Sequence, residues 1–248
     1  VGSDMTLDAG GNIGAALGLS RTYSTAGNVM GEAQGYHLGF YGRVGANSPF
    51  DAGLSIRGAI FASSFAFSTA RTVSFGTVSS IAEAEFFGRG AGAEAVFRFG
   101  IGDDSDGPVV APFAGLRYAH FASSGYFENG AQFLNLNASS YRSDQLTSIL
   151  GVETAGIMDS QLGELRGRFS LSWERALISS SKERAFLLEA SAAPMNFSSN
   201  PYEVDRFSLA GGLALDLSTR AVVEVRGAVD FARRAVGVSG GLSYRFEF

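Results

Sequence analysis

The chain has 248 residues, 46% of them hydrophobic, and a formal net charge of −5. It holds no cysteine, which excludes a disulfide scaffold, a thiolate zinc site and a cysteine nucleophile together, and its acidity leaves no electrostatic footprint for nucleic acid. No uncharged stretch reaches the roughly 18 residues of a membrane-spanning helix, while 21 Phe, 8 Tyr and 33 Gly against 5 Pro lean towards β-structure facing something apolar.

The start, Val1-Gly-Ser-Asp-Met5, carries neither a basic cluster nor an apolar run, so no signal peptide is read there. A processed or partial chain is the expectation. From Ile13 onwards the pattern is period two, the spacing that puts successive side chains on opposite faces of a strand. Ile13, Ala15, Leu17 and Leu19 open the series, followed by Tyr36, Leu38, Phe40, Gly42 and Val44 against His37, Gly39, Tyr41 and Arg43. Leu54, Ile56 and Ile60 oppose Ser55, Arg57 and Ala59. Ala91, Ala93, Ala95, Phe97 and Phe99 oppose Gly92, Glu94 and Arg98. Next come Ala114, Leu116 and Tyr118 against Phe113, Gly115 and Arg117, then Leu146, Leu150 and Val152 against Gln145, Thr147 and Glu153. Ile149 breaks that last pattern. Leu165–Trp173, Phe207–Leu217, Val223–Phe231 and Val236–Phe248 complete ten predicted strands.

The connections alternate. Short ones are expected near Ala46–Ser48, Asp103–Gly107, Asp159–Leu162 and Ser218–Thr219; long ones near Thr25–Gln34, Ser68–Glu83, Ser123–Asp144 and Ile178–Val204. Such asymmetry belongs to an antiparallel up-and-down transmembrane β-barrel. The polar register suits either a solvated sandwich exterior or a barrel lumen. Its small residues, broken by arginines and acids, favour the lumen. The expected lining is Arg43, Arg57, Arg98, Arg117, Arg166, Arg168, Arg226 and Arg245 against Glu94, Glu153, Glu164, Glu174, Asp216, Glu224, Asp230 and Glu247. These charges nearly balance, so no strong ion selectivity is expected. In lipid every backbone donor and acceptor needs a partner, which requires closure of the sheet.

The ordered set of segments also resembles a known family. Gly35-Tyr-His-Leu-Gly-Phe-Tyr-Gly42, Pro112-Phe-Ala-Gly-Leu-Arg-Tyr118, Gly125-Tyr-Phe-Glu-Asn-Gly130, Ser143–Val152, Phe169-Ser-Leu-Ser-Trp-Glu174 and Ser243-Tyr-Arg-Phe-Glu-Phe248 are similar to the β-domain of autotransporters, the type V secretion barrels. The resemblance covers almost the whole chain. It implies a single translocator barrel of twelve strands in the bacterial outer membrane, in contact with lipid. Such a barrel is inserted by the barrel-assembly machinery, exports an N-terminal passenger and holds a helix in its pore, with no cofactor. It also implies an assembly signal, here Leu242, Tyr244, Phe246 and Phe248. Asn12–Ser24 looks like the third strand of that pattern, so residues 1–248 are expected to be an N-terminally shortened barrel.

Rival chemistries are thinner. A small porin would need more strands for an open lumen, and a ten-stranded hydrolase would need acid–base groups at one rim, for which His120 and Asp144 are the candidates. His37 and His120 come with neither a G-x-S-x-G elbow nor an HExxH pair. Gly88–Gly92 lacks the strand-to-helix context of a phosphate loop and is expected to pack against Phe86 or Phe87. Asp103-Asp-Ser-Asp-Gly107 lacks the closing Glu of a calcium loop, leaving a solvated turn.

Overall fold

A computed structural model describes residues 2–7, 11–46, 50–102, 107–161, 163–181, 184–189, 195–197, 205–218, 221–232 and 235–246. The strands are β1 (Gly2–Leu7), β2 (Gly11–Ala26), β3 (Val29–Gly45), β4 (Gly53–Phe75), β5 (Val78–Gly100), β6 (Val109–Ser123), β7 (Tyr126–Phe127), β8 (Leu136–Ala138), β9 (Tyr141–Ser160), β10 (Gly163–Ser181), β11 (Arg184–Leu188), β12 (Met195–Phe197), β13 (Arg206–Ser218), β14 (Ala221–Ala232) and β15 (Ala235–Phe246). Eleven of them form one sheet in the order β1-β2-β3-β4-β5-β6-β9-β10-β13-β14-β15, and every pairing in it is antiparallel. All ten predicted strands are present. The eleventh, β1, pairs Gly2 with Ala16 and Leu7 with Gly11. Its sequence, GSDMTL, alternates only over Asp4-Met5-Thr6-Leu7, too short a run to announce a strand by itself. Asn12–Ser24 therefore follows one strand of the sheet.

Two of the long connections need correction. Thr25–Gln34 and Ser68–Glu83 are strand almost throughout, because Ala26 pairs with Val29 and Phe75 with Val78 across two-residue turns. Gly27 and Gly76 supply the positive φ, 60° and 61°, that such tight turns demand. The other two long connections, β6 to β9 and β10 to β13, contribute a second sheet of four short strands in the order β12-β11-β8-β7. They define a loop end of the molecule, which also carries the β2–β3 and β4–β5 turns, while the β3–β4, β5–β6, β9–β10 and β13–β14 connections lie at the other end. The predicted short turns lie partly at residues 47–49, 103–106, 162 and 219–220, outside the described residues.

Alternation sorts the sheet into two faces. Leu17, Leu19, Tyr36, Phe40, Ile60, Phe97, Leu171, Leu213, Val225 and Leu242 are exposed on one, and Leu242 reaches 76%. The other face is the concave one. One small cavity on it is lined by Arg43, Ser55, Arg57, Arg98, Glu153 and Arg168, drawn from β3, β4, β5, β9 and β10, and side chains from strands so far apart meet only inside a curled sheet. Glycines on this face seat aromatic rings from the neighbouring strand. Tyr41 lies over Gly14, Phe61 over Gly92 and Phe113 over Gly151, each pair directly opposite in register. A side chain at any of these glycines collides with the ring. At Gly88 the nearest rings from other strands are those of Phe67 and Phe121. Ile149, out of step in the sequence, is buried on the concave side.

Candidate functional site

The concave face carries charges at alternating positions, and cross-strand register brings opposite signs together. Glu94 sits directly opposite Arg117, whose Nε donates to Glu94 Oε2 at 2.7 Å while Nη1 reaches Glu174 at 3.3 Å. Glu153, 4% exposed, takes Arg98 on one oxygen at 3.2 Å and Arg168 on the other. Arg166 donates to Asp216 at 2.6 Å and stands 3.7 Å from Glu164. Arg206 meets Asp230 at 2.8 Å, with Ser208 donating to the same carboxylate. Arg226 grips Glu224 in its own strand at 2.5 and 2.6 Å. A cavity of about 750 Å³ runs along this face, lined by Phe50, Arg166, Arg168, Ala214, Glu224 and Arg226 among others. Arg43 and Arg57 also stand on it, directly opposite each other in β3 and β4. The side chains of Arg245 and Phe246, and all of Glu247 and Phe248, lie outside the described residues. Leu242 and Tyr244 of the expected assembly signal are exposed on the convex face.

At the loop end the concave face changes character. Phe65, Phe67, Phe86 and Phe121 occupy the register that lower down holds glycine and arginine. Phe67 stacks on Phe86 at 4.8 Å and Phe86 on Tyr126 of β7 at 4.7 Å. Arg184 of β11 lies over Phe86 and Tyr126 at 5.4 and 5.3 Å and donates to Ser123 Oγ and the Ser139 carbonyl. Burial lowers the Arg184 pKa and raises that of the Tyr126 phenol, the latter partly offset by Arg184 itself. Arg71 of β4 closes the arrangement. Its guanidinium takes both oxygens of Glu128, at 3.2 and 2.5 Å, and the Leu134 carbonyl at 2.9 Å. A backbone bridge between Glu83 and Asn129 ties the same segment to β5. The four-stranded sheet is thus fastened to the inner side of the β4–β5 hairpin. The sequence reading missed this cluster. Its signal is a switch of parity: apolar residues of β4 fall at Ile56 and Ile60, then at Phe65 and Phe67.

The two histidines part company. His37, on the concave face, stands 2.8 Å from both Ser20 Oγ and Ser63 Oγ, with no carboxylate in that chain of contacts. His120 is on the convex register beside Tyr118, and its Nδ1 is 2.8 Å from Asp144 Oδ1. Tyr118 and Arg142 also donate to that carboxylate. Asp144 is thus engaged by three donors. Gly88–Gly92 lies within β5, so no helix dipole addresses it. Among the described residues no three His, Asp or Glu side chains gather as metal ligands; Asp103–Asp106 lie outside them.

An antiparallel curled sheet, apolar on its convex side and ion-paired on its concave side, defines the class of the transmembrane β-barrels. Within it, the sequence model of the autotransporter β-domain matches residues 1–228, and the chain belongs to that family. Its fold is similar to the translocator domain of the autotransporter NalP from Neisseria meningitidis, with a TM-score of 0.75 and 15% identity over 100% of this chain and 79% of that one. It is also similar to the β-domain of the Bordetella autotransporter BrkA, with a TM-score of 0.64 and 15% identity over 100% of this chain and 88% of that one. No curated protein sequence matches.

Proposed function

We propose that the chain is the outer-membrane part of a translocator, a passive barrel through which, or alongside which, an N-terminal passenger reaches the cell surface. The observation that carries this reading is the division of faces. Leu213, Val225 and Leu242 are exposed on the convex side, where acyl chains replace water, while the concave side offers a polypeptide a route lined by paired arginines and carboxylates. The end carrying the β3–β4, β5–β6, β9–β10 and β13–β14 connections faces the periplasm, and the end carrying the four-stranded sheet faces outward, the asymmetry usual for such barrels. Closure joins the β1 and β15 edges, directly or through a further strand, since an open edge is not tolerated in lipid. The barrel-assembly machinery recognises the alternating apolar residues that end at Phe248, and a helix occupies the pore after export. No catalytic step is assigned to the barrel.

The test is surface display. The whole encoded protein, with an epitope placed ahead of Val1, is expressed in a Gram-negative host. The epitope is expected on intact cells, accessible to added protease, while the barrel is recovered from the outer membrane in heat-modifiable form. A folded barrel with its epitope held permanently in the periplasm refutes the proposal.

A further inference from the structure

The charges of the concave face balance as a set but not locally. Around the cavity of about 90 Å³ that joins Arg43, Ser55, Arg57, Arg98, Phe113, Glu153 and Arg168, four guanidiniums meet one carboxylate. Glu153 is saturated by Arg98 and Arg168, one on each oxygen. Arg43 and Arg57 have no ion pair among the described residues, although they face each other across the β3–β4 ladder. Like charges directly opposite are destabilising. Arg43 Nε is in addition buried without any hydrogen-bond acceptor, which a native interior rarely allows without an unseen partner. Ser55, buried on the same wall, adds a hydroxyl. The neighbouring walls are Val96 and Phe113, so the surroundings are apolar enough for the charges to act strongly.

We propose that this cavity is an anion site, taking one small oxyanion or carboxylate between Arg43 and Arg57. Guanidinium forks match the planar oxygens of a carboxylate and the tetrahedral ones of phosphate. An occupant there accepts from Arg43 Nε, separates the two like charges and completes the network that Glu153 leaves short. The same chemistry has two sources: an inorganic anion from solution, or an acidic side chain of a polypeptide lying in the barrel. The second source rests on the export reading above; the first does not. The site also carries a consequence for ions. The excess of positive charge on one stretch of the lining favours anions over cations, against the near neutrality of the lining taken whole.

The experiment measures the unfolding temperature of the whole encoded protein in detergent, followed by heat-modifiable mobility, against inorganic phosphate at constant ionic strength. Wild type, Arg57→Gln, Arg57→Lys and Arg43→Gln are compared. The same titration is repeated on a form in which the acidic residues of any segment encoded ahead of Val1 are changed to amides. A free-anion site gives a saturable rise with phosphate in wild type and in Arg57→Lys, absent in Arg57→Gln and Arg43→Gln. A site filled by the protein's own carboxylate gives no response in wild type and the same saturable rise once the upstream acids are neutralised. Absence of any phosphate response in wild type and in the neutralised form overturns the proposal, as does an undiminished response in both glutamine variants. Each variant must first show a folded, heat-modifiable band; should the glutamine variants fail to assemble, Arg57→Ser takes their place and is expected to lose the response, while an undiminished response in it overturns the proposal. Surface display is read separately, so failure of the anion site is not confused with failure of export.

Discussion

Arg71 and Glu128, 57 positions apart in the chain, form a two-pronged ion pair at 3.2 and 2.5 Å that pins the loop-end sheet to the β4–β5 hairpin. Glu128 is 3% exposed and also accepts the Leu136 amide at 2.9 Å, so its carboxylate is shared between a guanidinium and the backbone of β8. Removing one member of such a pair leaves a buried charge unanswered. Glu128→Ala is expected to cost about 3 kcal/mol of local stability. It should open the small sheet while the main sheet persists. Hydrogen exchange is the measurement, with faster exchange at Leu136 and Asn135 and unchanged protection in β9 and β10. Unaltered exchange at Leu136 would show that the pair does not hold the sheet.

A second expectation concerns alkaline pH. Burial raises the Tyr126 phenol above its ordinary value near 10, so the folded sheet holds the neutral form more tightly than the unfolded segment does. Its contribution to stability is complete below the unfolded pKa and is lost as pH rises through the raised one. Protease sensitivity of the β6–β9 connection should therefore increase above pH 10 in wild type. Tyr126→Phe, which cannot ionise, should flatten that rise.

The assignment of the two faces is tested by moving the same charge across the sheet. Val225→Arg puts a guanidinium on the convex, exposed register, at an expected cost of about 2–4 kcal/mol in a bilayer. Ser239→Arg puts it into the concave cavity, where water and carboxylates receive it, and is expected to change stability by less than about 1 kcal/mol. Refolding into lipid vesicles, followed by denaturant titration, compares them. Equal costs at the two positions would undo the assignment.

At the end of the chain, Phe248→Asp replaces the terminal aromatic of the proposed assembly signal. Most of the heat-modifiable barrel should be lost from the outer membrane, and the unassembled chain should accumulate in the periplasm or be degraded. Leu242→Ala, six residues earlier on the same sequence alternation, should show a smaller loss in the same direction. Assembly at wild-type level in Phe248→Asp removes the signal from the account.

Much of the fold was legible because period-two alternation is a local property of an extended chain. Each of the ten predicted strands declares its own two faces, and Glu94 and Arg117, or Arg98 and Glu153, could be placed on the polar one before any partner was known. What escaped was less periodic or less local. β1 is six residues long, and its alternation is confined to Asp4-Met5-Thr6-Leu7. The hairpins at Gly27 and Gly76 look like long loops in the sequence, because Ser, Thr and Glu in the flanking strands are also loop residues.

Alternation by itself determined that the chain is a β-sheet with one oily and one polar register, since side-chain direction follows from backbone geometry alone. Pairing across distant strands decided the rest. The register of β4 never slips, yet its apolar residues change from Ile60 on the convex side to Phe65 and Phe67 on the concave side. What changes is the surroundings: within the expected membrane span the outside is hydrocarbon, and beyond it the outside is water and the inside is packed against β7 and β11. Similarly, a count of arginines and carboxylates gave near neutrality. Only the folded sheet brings Arg43 and Arg57 face to face and commits Glu153 to other partners, because charge is balanced by distance and not by number.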